Sequence, residues 1–176
     1  MSSETSRYNW WSGAQRWHGS GQPVAYKLGF HPWARVVLAD GNRGMRRSVR
    51  GLLAELGVGD VIEVSDGAEA WERLRQVTPD LIVTELAMAP LNGLDLVRLV
   101  RGTPGSMVRY VPILMVSAYT QTSMVERARD AGIDAFIAKP FPRGLFLARV
   151  ARLLEARRIM VHLRHPPQAN DELGIA

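Results

Sequence analysis

Five short apolar runs, each followed by a segment of helical period, constrain this chain more than any other feature. The runs are Val36 to Ala39, Val61 to Val64, Leu81 to Thr84, Ile113 to Val116 and Ala135 to Ala138. After the first, Met45, Val49, Leu52, Leu53 and Leu56 fall at helical spacing and Gly57 stops them. Ala70, Trp71, Leu74 and Val77 mark a second helix ended by Pro79. Leu94, Val97 and Val100 mark a third, broken by Gly102-Thr103-Pro104-Gly105. Met124, Val125, Ala128 and Ala131 form a fourth that ends at Gly132, and Leu145 to Leu154 is the fifth. Pro112 enters the fourth run, which suits the first residue of a strand.

This alternation predicts an α/β fold: a doubly wound, five-stranded parallel sheet with helices on both faces. Right-handed crossovers leave few arrangements, among them the flavodoxin-like (βα)5 order 2-1-3-4-5. There, ligands bind outside the carboxyl ends of the central strands. Asp40, Glu85, Ser117 and Lys139 follow strands 1, 3, 4 and 5, so they are expected to converge in one pocket. Two acids, a hydroxyl and an ammonium form a constellation suited to phosphoryl chemistry.

The 176 residues make one domain with extensions. We divide them into a Trp-rich, mostly irregular extension at 1–34, a domain at 35–156 and a tail at 157–176. The extension holds Trp10, Trp11, Trp17 and Trp33 and the breaker cluster Gly19 to Pro23. In the tail, Ile159, Val161 and Leu163 alternate with polar or larger residues, a period that suits a paired extended segment as well as a fraying helix end.

With no cysteine, disulfides and thiolate chemistry are excluded. No signal-peptide core or membrane span is visible, and a cytoplasmic location is expected. Net charge is +5, but residues 35–156 carry only +2, from 16 basic against 14 acidic residues. No run of sequence concentrates basic charge, so nucleic acid is disfavoured. A flavodoxin-type cofactor is disfavoured too, because no Gly-rich phosphate loop follows the first strand and Asp40 would repel an anion there. The four histidines have no metal-ligand spacing.

Taken in order, several motifs resemble the receiver domain of two-component response regulators, the CheY-like family, over roughly 35 to 155. They are Asp40, Met45-Arg46-Arg47, Ser65-Asp66-Gly67, Pro79-Asp80-Leu81-Ile82-Val83, Asn92-Gly93-Leu94, Val116-Ser117-Ala118 and Lys139-Pro140-Phe141. The resemblance implies a phosphoacceptor position at Glu85, an acidic pocket residue at Asp40, and phosphoryl-contact or switch positions at Ser117, Phe136 and Lys139. It also implies a Mg2+ position at Asp40, Glu85 and the backbone of Ala87, and a cis peptide at Lys139-Pro140.

The chain departs from the family at two places. The acceptor aspartate is Glu85, and the second member of the acidic pair is Gly41. Losing one carboxylate takes the pocket from −2 to −1, so both the need for a divalent cation and the means of holding it fall. No cofactor is expected, with Mg2+ binding weakened. Glu85 also reaches about one carbon–carbon bond further than aspartate, toward Lys139 and Ser117, and in-line attack tolerates little misplacement.

The expected function is that of a single receiver without an output domain. It would act without phosphorylation, by protein–protein contact through its helix 4, strand 5, helix 5 face or its Trp-rich arm. The alternatives are a phosphoacceptor or shuttle using Glu85, and, further off, a nucleic-acid-binding regulator. Expected partners are a histidine kinase, a phosphotransfer protein or a downstream target, with a homodimer left open. No enzymatic role is expected. Arg43, Arg46, Arg47 and Arg50 on the first helix suit either a docking surface or a solvated face. Trp71 and Phe136 read as packing residues.

Overall fold

The computed structural model describes residues 29–164. Five parallel strands, β1 (Arg35–Ala39), β2 (Asp60–Val64), β3 (Leu81–Thr84), β4 (Ile113–Ser117) and β5 (Ala135–Ala138), form one sheet in the order 2-1-3-4-5. The helices are α1 (Arg43–Glu55), α2 (Gly67–Leu74), α3 (Gly93–Gly102), α4 (Thr122–Ala131) and α5 (Arg143–Arg164). A short 3-10 turn, Met107–Tyr110, leads into β4 and was not visible in the sequence pattern.

β3 and β4 are buried at every residue, and β1 at all but its first. Their apolar runs do not alternate because helices cover both faces of the sheet. On one face, α1 supplies Val49 and Leu53 and α5 supplies Phe146, Leu147, Val150 and Leu154. On the other, α2, α3 and α4 supply Ala70, Leu74, Leu94, Leu96, Val97, Val100 and Ala128. Full burial of each large side chain is worth about 2 kcal/mol, so the two layers fix which way every strand faces. Trp71 lies at the rim rather than in the centre: it is half-buried and lines a shallow cleft with Leu74 and Val108.

Helix starts cluster at the carboxyl edge of the sheet. Asn42, Asp66 and Asn92 each cap a helix by accepting from its first backbone N–H groups. At the opposite edge, α1 ends on Gly57 at φ 76° and α4 on Gly132 at φ 105°, a left-handed conformation that glycine adopts without cost.

The structure bears on both ends of the chain. Residues 31–34 form neither helix nor strand, yet they pack on the body. His31 N donates to Leu56 O at 2.8 Å, the His31 ring is buried edge-on against Trp33, and Ala34 is fully buried. The remaining N-terminal tryptophans lie outside the described residues.

Of the two readings of the tail, the helical one is found over the described residues: α5 continues without a break to Arg164. A helix already formed gains one hydrogen bond per added residue, whereas an extended segment would need a strand partner. Among the described residues, no helix is long and apolar enough to cross a membrane.

Candidate functional site

The register of the sheet builds the site. Ala39 lies beside Thr84 and Val64, and Ser117 beside Ala138. The ladder then runs one residue further, with Glu85 N donating to Ala39 O at 2.9 Å and Lys139 N to Ser117 O at 2.8 Å. Asp40, Glu85, Ser117 and Lys139 are thereby held by backbone at neighbouring strand ends.

The side chains of three of these four residues meet. Lys139 Nζ donates to Glu85 Oε2 at 2.5 Å and to Asp40 Oδ2 at 2.7 Å. Both carboxylates are buried. Their other oxygens are also taken. Glu85 Oε1 accepts from the backbone N–H of Leu86 at 2.6 Å and of Ala87 at 3.3 Å. Asp40 Oδ1 accepts from Asn42 N at 2.7 Å. Burial pushes the Lys139 ammonium toward a lower pKa, but hydrogen bonds from Nζ to Asp40 and Glu85, and their charges, outweigh it and hold the pKa above the ordinary lysine value.

Ser117 stays apart from this triad. It is fully buried, and its Oγ accepts from Tyr119 N at 3.1 Å, so the hydroxyl closes its own turn. Phe136 is half-buried and packs against the α2–α3–α4 layer. Lys139-Pro140 is cis, and so is Ala89-Pro90, in the loop between β3 and α3.

This donor set does not fit a magnesium ion. All four carboxylate oxygens already accept hydrogen bonds, and the cation between the carboxylates is the Lys139 ammonium. Among the described residues, no three His, Asp or Glu side chains form a metal cage. The Ala87 backbone contributes an N–H to Glu85.

Two supports of the site went unread in the sequence. Arg46, grouped with the α1 arginines as a docking or solvated cluster, instead donates through a guanidinium N–H to the Asp40 carbonyl at 2.7 Å and faces Glu63 at 3.6 Å. Its distance of six residues from Asp40, one helix start away, was the available signal. Gly93 begins α3 directly on the Glu85 backbone, where a Cβ would fall 2.0 Å from Glu85 O. The Asn92-Gly93-Leu94 motif marked the place but not the reason.

Comparison with known proteins agrees with this architecture. The chain is 35% identical over 108 residues to the chemotaxis protein CheY1 of Helicobacter pylori, covering 61% of this chain and 86% of that protein. It is 29% identical over 121 residues to the chemotaxis protein CheY of Pseudomonas aeruginosa, covering 69% and 96%. Among solved structures, a CheY4 chemotaxis response regulator of Vibrio cholerae superposes with a TM-score of 0.62 at 26% identity, covering 68% of this chain and 98% of the other. The family model of the response regulator receiver domain matches residues 36–151. Strand order, strand-end residues and this match lead to one conclusion: the chain belongs to the response regulator receiver domain family of two-component signalling.

Proposed function

We propose that this receiver has lost the phosphorylation step and signals through protein–protein contact, with its pocket held in one state by its own glutamate. The observation that carries this reading is the placement of Lys139 Nζ between Glu85 Oε2 and Asp40 Oδ2. The ammonium that would grip a phosphoryl oxygen is already paired. Each oxygen of the would-be nucleophile is engaged, so attack on phosphorus would first have to break an ion pair in a buried site. Such a pair is costly to separate because it leaves uncompensated charge. In this reading residues 35–156 are the receiver, flanked by extensions, and the partners are kinases, phosphotransfer proteins or downstream targets.

The test is incubation with acetyl phosphate and magnesium, read by intact mass. The wild type is expected to gain no stable adduct of about 80 Da. The double variant Glu85→Asp, Gly41→Asp is expected to gain one. Position 41 has room, since a Cβ there meets only Ser65 O at 3.6 Å. A stable adduct on Glu85 of the wild type would overturn the proposal.

A further inference from the structure

α5 outruns the body it packs on. Phe146, Leu147, Val150, Leu154 and Arg157 are its buried residues, and the side chains described beyond Arg157, at 158 to 161 and 163, are all exposed. Val161 continues the stripe of Leu147, Val150, Leu154 and Arg157, yet it is no longer covered. This projecting end is apolar. Ile159, Met160, Val161 and Leu163 are 52%, 47%, 38% and 75% exposed. At about 100° per residue they spread over roughly 200° of the helix circumference. A helix apolar over so wide an arc is ordinarily buried, whereas a single partner helix covers only a narrow stripe.

Cations and aromatic rings stand beside this end. Arg152 and Arg149 lie earlier in α5, on the same side as Ile159 and Leu163, and have no carboxylate partner among the described residues. Burial, and then the charge of Arg152, push the Arg149 guanidinium toward a lower pKa. The glutamates of α1 and α5 are already engaged: Glu155 faces Arg158 at 3.4 Å, and Glu55 is paired with Arg143. Phe30 and Trp33 are exposed nearby. The Phe30 ring stands against Gly57 at the end of α1. Trp33 meets edge-on the ring of His31, which feels the charges of Glu155 and Arg158.

We propose that the end of α5 enters the surface of an anionic lipid bilayer obliquely, with Ile159, Met160 and Leu163 among the upper acyl chains and Arg149 and Arg152 at the phosphates. Both halves of the surface select this occupant. A bilayer surrounds an inserted tip, so it covers Val161 as well as Ile159, although they lie on different sides of the helix. Anionic headgroups supply the counterions that Arg149 and Arg152 lack. Exposed aromatic rings such as those of Phe30 and Trp33 suit the headgroup level. Duplex nucleic acid would use the arginines but leave the apolar tip in water. A second copy of the chain would bring its own Arg149 and Arg152 to the contact and no spare carboxylate from α1 or α5. The inference goes beyond the proposed loss of phosphorylation and does not use the pocket, so either can fail without the other.

The experiment sediments the full-length chain with large unilamellar vesicles of phosphatidylcholine, alone or mixed with phosphatidylserine. Saturable binding that salt weakens is expected for the mixed vesicles, and none for phosphatidylcholine alone. Arg149→Glu with Arg152→Glu should weaken binding by at least about tenfold, from roughly fivefold for each arginine. Ile159→Glu with Leu163→Glu should weaken it as much without changing the circular dichroism of the free protein, since both side chains are exposed. The chain has no cysteine, so Met160→Cys carries a single environment-sensitive dye. Its emission should shift to the blue on the mixed vesicles and be quenched by a spin label in the upper acyl chains. No binding to the mixed vesicles, or binding without the blue shift, overturns the proposal. So does binding indifferent to both double variants, the result if another part of the chain holds the lipid. So too does random duplex DNA bound as tightly as the mixed vesicles, or a lipid-free dimer that Ile159→Glu with Leu163→Glu abolishes while vesicle binding persists.

Discussion

Two cation–carboxylate clusters close opposite ends of the same sheet, and their stoichiometry separates them. At the carboxyl end, one ammonium, Lys139, serves two carboxylates, Asp40 and Glu85. At the other end, Arg101 donates to the carbonyls of Gly132, Arg109 and Val111 and to Asp134, whose carboxylate also accepts from Ile113 N. Burial dominates there: it lowers the Arg101 pKa and raises that of Asp134 despite their pairing. At Lys139 burial is outweighed by the two acids. A guanidinium matched by one carboxylate and three carbonyls joins α3, the 3-10 turn, β4 and β5. Two carboxylates sharing one ammonium leave a surplus negative charge that packing alone does not require.

The largest expected effect is at the basal cluster. Arg101→Ala removes four hydrogen bonds and leaves three carbonyls without their donor. At about 1 kcal/mol per bond the loss is roughly 4 kcal/mol, read from urea denaturation with an unchanged m value. Little of this comes from the ion pair itself, because burial works against both charges. A loss below about 1 kcal/mol would remove the distinction between a structural cluster and a functional one.

Lys139→Met should cost somewhat less, about 3 kcal/mol at neutral pH. It leaves two buried carboxylates facing each other, but Asn42, Leu86 and Ala87 still donate to them. The same denaturation measurement ranks the two variants. If Lys139→Met costs as much as Arg101→Ala, the upper triad is as structural as the lower cluster, and the reading of Glu85 as a pocket device weakens.

How far these clusters were legible depends on whether register or side-chain direction placed them. Asp40, Glu85 and Lys139 could be brought together from sequence because a parallel sheet aligns strand ends, and backbone bonds from Glu85 to Ala39 and from Lys139 to Ser117 enforce that alignment. Ser117 stands at the same edge, yet its hydroxyl serves the N–H of Tyr119. No strand pattern reveals a rotamer choice of that kind. Arg101 was invisible for a related reason: its partners lie 8 to 33 residues away and most are carbonyls, which carry no side-chain signature. The concentration of arginine on α1 and α5, ten against two glutamates, was hidden differently. α1 and α5 stand at opposite ends of the sequence but share one face of the sheet, so charge that looks dilute along the chain is concentrated in space.

The smallest effect is a dependence on alkaline pH, and it tests the comparison most directly. The folded-state pKa of Lys139 lies above its ordinary value of 10.5. Its contribution to stability is therefore fully present below 10.5 and is lost as pH rises from there through the folded value. The stability gap between wild type and Lys139→Met should hold constant from neutrality to about pH 10 and narrow above it. Tyrosines ionise in the same range but do so in both proteins, so they cancel in the difference. The gap between wild type and Arg101→Ala should not narrow in that window, because a guanidinium keeps its proton. Denaturation midpoints measured at neutral pH and at about pH 11 decide the matter. Narrowing for both variants would mean that alkaline loosening is general, whereas narrowing for Lys139→Met alone locates the surplus charge at the Asp40–Glu85–Lys139 triad.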